Sequence, residues 1–278
     1  MKIHVIETGN FKLDGGAMFG VVPKSIWSKT NSPDENNMCS WALRCLLIEF
    51  DDKKIIFDTG IGNKQSVNFF KYYYLHGEDS LIKSLKKIRV NPDDITHVFF
   101  THLHFDHCGG AIMKKNNSLE LVFKNALHLT NKVHWELANN PNNRERASFL
   151  KENFSLIHEK KQIKFITEGL IFDKIDVRFF HGHTASQMIP IISYKNKKIV
   201  FTADLLPSVG HIPIPYVMGY DTQPLLTLKE KEIFFNEAVE QKYILFLEHD
   251  IKNEACTLKK IDGKVVVDKM GKLQDLLN

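Results

Sequence analysis

Five short apolar runs in this chain each end in a histidine or an acid, and this repeated ending constrains the fold more than any other feature. Lys54-Ile55-Ile56-Phe57 leads into Asp58-Thr59-Gly60, and His97-Val98-Phe99-Phe100 leads into His102-Leu103-His104-Phe105-Asp106-His107. Val177-Arg178-Phe179-Phe180 runs into His181-Gly182-His183, Ile199-Val200-Phe201 reaches Asp204, and Tyr243-Ile244-Leu245-Phe246-Leu247 reaches Glu248-His249-Asp250. Short runs of β-branched and aromatic residues bounded by polar ones read as strands. Strands that lie in sheets with their C-terminal ends on one rim bring distant polar groups together.

Between the strands the apolar period changes to that of helices. Leu81, Ile82, Leu85 and Ile88 make one buried face of a helix expected over Glu78 to Arg89. Thr227-Leu228-Lys229-Glu230 fits a capping box ahead of Ile233, Phe234 and Ala238, so a second helix is expected to begin at Thr227. Residues 131–139 and 144–157 also read as helical, separated by the breaker Asn139-Asn140-Pro141-Asn142-Asn143. Strands and helices in this order imply an α+β fold of sheet layers sandwiched by helices, in a single domain over residues 1–278.

The segment from His102 to His107 points to metal, because it concentrates three imidazoles and a carboxylate within six residues. Zinc accepts neutral imidazole nitrogen and carboxylate oxygen, and a site that keeps one position for water is catalytic rather than structural. His183, Asp204 and His249 are the candidates to complete the set, each just past an apolar strand. His102, His104 and His183 are assigned to one ion, and Asp106, His107 and His249 to a second. Asp204 is assigned between them, one carboxylate oxygen to each. Asp58 either supports a ligand from behind or caps the Thr59-Gly60 turn. Cys108 is either a thiol beside the metal or a small packed side chain.

Composition excludes several classes. A net charge of +4, spread over lysine pairs without a long basic block, gives no track for nucleic acid. The apolar stretch in Met1-Lys2-Ile3-His4-Val5-Ile6 is too short for a secretory signal, and no run approaches membrane-spanning length. The four cysteines show no C-x-x-C spacing, which fits free thiols in a reducing compartment and a cytoplasmic location.

The order His-x-His-x-Asp-His, followed by His183, Asp204 and His249, resembles the metallo-β-lactamase superfamily over nearly the whole chain. The resemblance implies an αββα sandwich with a dinuclear site at one rim, holding two Zn2+ or other divalent transition metals. His104 stands where the oxygen-reducing diiron flavoproteins of that superfamily carry a carboxylate, which disfavours redox chemistry. A bridging Asp204 is absent from the β-lactam-cleaving members. The spacing from His183 to His249 is instead similar to that of the N-acyl homoserine lactone lactonases, as are Leu13-Asp14-Gly15-Gly16-Ala17-Met18-Phe19-Gly20 and Ala203-Asp204-Leu205-Leu206-Pro207. Pro207 departs from them, since those enzymes commonly carry there a tyrosine that binds the carbonyl or assists the leaving group.

The function implied is a dizinc hydrolase that opens the lactone ring by attack of a metal-bound hydroxide, with Asp106 and Asp204 as the catalytic carboxylates and Asp106 also carrying a proton. The alternative is a phosphotriesterase or arylesterase using the same chemistry. His211, Tyr216 and Tyr220 are candidates for the polar contact missing at Pro207. Met18, Phe19 and Phe70 are candidates for an acyl groove, with the dense aromatic run over Phe69, Phe70, Tyr72, Tyr73 and Tyr74 either lining it or covered by a second copy of the chain through residues 65–75. The expected partners are therefore a small-molecule lactone or ester and a homodimer mate, without nucleic acid or membrane.

Overall fold

The computed structural model describes residues Met1–Asn278. Its strands are β1 (Lys2–Asp14), β2 (Met38–Phe50), β3 (Lys53–Phe57), β4 (His97–Phe99), β5 (Ile112–Lys115), β6 (Ser118–Leu121), β7 (Leu127–Thr130), β8 (Ile163–Phe165), β9 (Gly169–Ile171), β10 (Ile175–Phe180), β11 (Gln187–Tyr194), β12 (Lys197–Phe201), β13 (Ile244–Phe246), β14 (Ala255–Ile261) and β15 (Lys264–Gly271). They form a sheet in the order β1-β2-β3-β4-β7-β8, a second in the order β15-β14-β13-β12-β11-β10-β9, and the hairpin β5-β6. Both large sheets are mixed, parallel at β3-β4, β4-β7, β7-β8 and β12-β13 and antiparallel at β2-β3 and β10-β11. By its internal contacts the chain is described as two compact units, Met1–Asn10 with Leu43–Thr167 and Phe11–Ala42 with Glu168–Asn278.

In the first unit an apolar core forms where helices cover the sheet. Leu81 and Leu85 of the helix Leu81–Lys87 meet Cys45 and Leu47 of β2, Ile56 of β3 and Val98 of β4 in one buried cluster. Burying each leucine stabilises the fold by roughly 1.5–3 kcal/mol. The helix is shorter than the expected Glu78 to Arg89, because Ser80 caps it, its side chain accepting from Lys83 N. Asn131 likewise caps Lys132–Asn139, accepting from His134 N at 2.8 Å. The helix expected over 144–157 reduces to turns, a single 3-10 turn at Lys151–Asn153 and the short helix Ser155–Glu159.

In the second unit the long helix Pro224–Glu240 buries Thr227, Lys231, Phe234, Phe235 and Ala238 along one stripe, packed on β14 and β15. It starts one turn earlier than the capping-box reading, because Pro224 occupies the first turn, where its fixed φ and missing N–H are tolerated. Thr227 then lies inside the helix and its hydroxyl donates to Gln223 O. Arg178 of β10 and Tyr243 both donate to Glu237, at 2.6 and 2.7 Å, tying the far end of the helix to its sheet. All four cysteines are buried free thiols. No helix is long and apolar enough to cross a membrane.

Candidate metal-ligand clusters

Parallel register explains why acids and histidines far apart in sequence become neighbours within each unit. In the first, Phe57 of β3 pairs with Phe99 of β4, so Asp58 is level with the chain leaving β4. Its N–H donates to Phe99 O at 2.9 Å, and its carboxylate accepts from Thr101 N at 2.7 Å and from the Thr101 hydroxyl at 2.5 Å. The same carboxylate accepts from His107 Nδ1 at 3.0 Å, and the Thr101 hydroxyl accepts from His102 Nδ1 at 3.1 Å. Asp58 thus orients two imidazoles, one directly and one through Thr101.

These contacts assign the tautomers. A neutral imidazole has one N–H. With Nδ1–H committed, His102 and His107 turn the Nε2 lone pair inward. His104 is reversed, with Nε2 toward Glu145 Oε1 at 3.7 Å and Nδ1 facing His102 Nε2 at 3.1 Å. That contact accommodates either a hydrogen bond from His104 Nδ1–H to the His102 Nε2 lone pair or two lone pairs turned to a shared cation. Two ligand atoms about 2.0–2.1 Å from a tetrahedral zinc lie about 3.3 Å apart, close to the observed separation. Asp106 Oδ2 lies 3.7 Å from His107 Nε2. His134 Nε2 accepts from Leu103 N at 2.8 Å, pinning the backbone between the first two histidines.

The glycines after the motif allow it to dock. Thr59 N and its hydroxyl donate to His107 O at 2.7 and 3.0 Å, Gly110 N donates to Gly60 O at 2.8 Å, and the buried Lys64 ammonium donates to Gly109 O. A Cβ at Gly110 would lie 2.0 Å from Thr59 O, and one at Gly109 would lie 2.2 Å from Ile61 O. Backbone cannot yield as a flexible side chain would. Gly110→Ala is therefore expected to lower stability by about 3 kcal/mol and to weaken metal binding, because relief of the clash moves His107. Thermal unfolding and metal titration of the variant check this, and an unchanged melting temperature would contradict the close approach.

In the second unit Asp204 and His249 each lie three residues past the paired Phe201 and Phe246 of parallel β12 and β13. Thr202 extends that register, its N–H and hydroxyl both donating to Phe246 O, and Ala203 turns the chain at φ 41°. The Asp204 carboxylate consequently divides its oxygens, Oδ2 lying 3.1 Å from His183 Nε2 and Oδ1 lying 3.1 Å from His249 Nε2. Each imidazole already donates its Nδ1 proton, His183 to Asp221 Oδ1 at 2.8 Å and His249 to Ala42 O at 2.8 Å. Two lone pairs therefore face two anionic oxygens. A positive charge at each contact resolves the conflict, and nitrogen and oxygen donors in this arrangement suit divalent transition metals.

The expected substrate contacts divide sharply. Met18 and Phe19 are buried, and Phe19 stacks on Trp27 at 5.4 Å and on His211 at 4.5 Å, so both are core and offer no groove surface. His211 is structural as well. Its Nε2 donates to Met18 O at 2.9 Å, its Nδ1 meets the Ser208 hydroxyl at 2.8 Å, and burial pushes its pKa down to about 3. Tyr216 is half-buried, edge-on to Phe19 at 6.4 Å, while Tyr220 is exposed. Phe70 is half-buried and packs on Phe69, but it is Phe69 and Tyr73 that reach Phe105, at 5.3 and 4.8 Å, directly beside Asp106. Burial and then the charge of Asp106 push the Tyr73 phenol up to about 12, so it keeps its proton. Glu145, His134 and Asp221, which no spacing singled out, lie against the candidate ligand histidines or their backbone.

The sequence pattern of the Metallo-beta-lactamase superfamily matches residues 44–241. An N-acyl homoserine lactonase of Bacillus cereus is 23% identical over 272 residues, covering 91% of this chain and 94% of its own. Its counterpart in Bacillus thuringiensis is 24% identical over 272 residues, with the same shares covered. Among solved structures, a probable metal-dependent hydrolase from Staphylococcus aureus is similar with a TM-score of 0.88 and 29% identity, covering 97% of this chain and 95% of that one. A dizinc quorum-quenching lactonase in complex with a product has a TM-score of 0.79 and 21% identity, covering 96% and 93%. With its strand-end histidines and aspartates, its two mixed sheets and a match across most of its length, the chain belongs to the metallo-β-lactamase superfamily and has that family's fold.

Proposed function

We propose that this chain is a metal-dependent hydrolase that holds two divalent ions, zinc foremost, and opens the lactone ring of N-acyl homoserine lactones. The assigned ligands are His102, His104 and His183 for one ion, and Asp106, His107 and His249 for the other, with Asp204 shared. The observation that carries the reading is the Asp204 carboxylate, whose two oxygens each lie 3.1 Å from a different imidazole with its other nitrogen already committed. The lactone follows from relatives named N-acyl homoserine lactonase that align with 91% of the chain. The chain acts as one hydrolase domain in the cytoplasm, and the exposed Val67, Tyr72 and Tyr74 are the surface for contact with a second copy.

Bound there, the ions supply Lewis acidity and bring the pKa of a coordinated water toward about 7. The chain does the rest. Asp204 divides its charge between two positions and so holds them at a fixed separation. Asp58, Thr101, Asp221 and Ala42 O keep the imidazoles in one tautomer. Asp106, with Tyr73 and Phe105 packed beside it, carries the proton from the attacking water to the departing ring oxygen. Phe69, Tyr73 and Phe105 give the apolar wall that an acyl chain requires.

A second reading, hydrolysis of aryl esters or phosphotriesters, is favoured by Pro207, which brings no hydroxyl to the third position after Asp204. Both are tested by metal analysis and by a hydrolysis screen of the zinc-loaded chain over acyl lactones, aryl esters and paraoxon-like triesters. About two ions per chain are expected, since seven ligands exceed one tetrahedral shell, together with turnover of acyl lactones that rises with chain length by up to about 0.8 kcal/mol per buried methylene. Negligible turnover of every lactone beside rapid triester cleavage rejects the lactonase reading. One ion per chain under zinc-replete conditions rejects the dinuclear one.

A further inference from the structure

We infer that Glu230 and Lys231, adjacent on the helix Pro224–Glu240, are positioning residues that set the His183 arm of the site by gripping backbone on both sides of it. The inference rests on the reading that His183 is a metal ligand. Glu230 grips the approach to His183. Its Oε1 accepts from His181 N at 2.8 Å and its Oε2 from Gly182 N at 2.9 Å, so one carboxylate holds two successive amides just ahead of the ligand. The contact is close because residue 182 is glycine, where a Cβ would lie 2.3 Å from Thr227 Oγ1 and 2.5 Å from Thr227 N. On the same helix end, Gln223 N donates to Gly182 O at 2.9 Å, and Thr222 N and its hydroxyl donate to His183 O at 3.0 and 3.1 Å.

Lys231 grips the other side. Its ammonium, buried in the helix stripe, donates to the carbonyls of His211 and Tyr216 at 2.7 and 2.8 Å and approaches those of Pro213 and Ile214 at 3.3 and 3.4 Å. The segment these carbonyls belong to contains Pro213 and Pro215, pairs with no strand, and leads to Asp221, which accepts from His183 Nδ1. Unpaired buried carbonyls are costly, so a lysine head group that satisfies several at once fixes the path of the loop. Glu230 thus sets where the His183 backbone lies, and Lys231 sets where its orienting carboxylate lies. A lysine in the core stripe of an amphipathic helix has no packing reason to be there.

The test uses the full chain, with Zn2+ for stoichiometry and Co2+ as a spectroscopic probe, in the parent, Glu230→Gln, Lys231→Met and the exposed control Glu232→Gln. The parent and control are expected to take up two ions. Glu230→Gln and Lys231→Met are expected to bind one ion as the parent does and the second at least tenfold more weakly, with an altered Co2+ absorption band and a fall in kcat rather than a rise in KM. Asp221→Asn should give the same signature, and adding Lys231→Met to it should cost little more. Should Lys231→Met fail to fold, Glu230→Gln, at a half-buried position, carries the test alone. Parent-like affinity for both ions and parent-like kcat in Glu230→Gln overturn the proposal, as does a lowered melting temperature in Lys231→Met with unchanged metal binding. A parent chain that takes up no ion overturns the underlying reading, an outcome separate from parent-like variants.

Discussion

Asp204→Asn is expected to retain the fold and to lose hydrolysis by more than about a hundredfold, beyond the 10–100-fold typical of removing a group that merely supports a metal ligand. The reason is geometric. The carboxylate faces two imidazole nitrogens with two equivalent anionic oxygens, each at 3.1 Å. An asparagine offers one neutral oxygen, and its NH2 would donate to one Nε2 and remove that lone pair from any ion. Circular dichroism and melting should stay close to the parent, while zinc content falls and kcat collapses on any ester the parent cleaves. Asp58→Asn and Asp221→Asn should lie within the smaller range, because each loses the orienting charge behind an imidazole and leaves the imidazole itself. Parental activity of Asp204→Asn at saturating zinc would show that another carboxylate bridges.

The metal-free chain is expected to lose stability steeply on mild acidification, by about 2 kcal/mol between pH 7 and pH 5 for each of two buried histidines. Burial holds His128 down at about 4 and His211 at about 3, against an ordinary 6.5. Both folded values are depressed, so the unfolded chain binds more protons than the folded chain below about pH 6.5. Stability is therefore fully present above that pH and falls as pH drops toward about 4 for His128 and about 3 for His211. Denaturant titrations at pH 7, 6 and 5 measure the slope. His128→Phe should remove about half of it, since a phenyl ring takes up no proton. Parallel stability curves for the parent and His128→Phe would mean that the imidazole is not held neutral by the core.

Strand ends were the legible part of this chain, because their signal is local. A run such as Ile199-Val200-Phe201 announces both the strand and the polar residue three positions on, and parallel pairing with Phe246 brings Asp204 and His249 level. Helix starts were less legible. Thr227 and Glu230 have the residue types of a capping box, yet Pro224 begins the helix and the Glu230 carboxylate turns to other backbone. Partners that lie far away in sequence left no local mark. Asp221 reaches His183 across 38 positions, and nothing in Met218-Gly219-Tyr220 foretells it. Phe19 and His211 sit in loop-like sequence that carries no sign of burial, yet each completes the other's burial at a ring separation of 4.5 Å. Lys231 alone carried a readable anomaly, a charged residue at a stripe position among Thr227, Phe234, Phe235 and Ala238.

The thiol beside the metal motif bears on which element the chain selects. Cys108 is fully enclosed, its Sγ donates to Leu103 O at 3.4 Å, and burial above all pushes its pKa up to about 12. It is a small packed side chain, and no sulfur joins the donors. Imidazole nitrogen and carboxylate oxygen lack the softness that draws Cu(I) or cadmium, and donors of these two kinds serve divalent ions such as zinc, cobalt, iron and manganese. For a site of such donors, metal availability joins affinity and geometry in deciding which ion is held, so the ion recovered with the purified protein is expected to change with the metal supplied during growth.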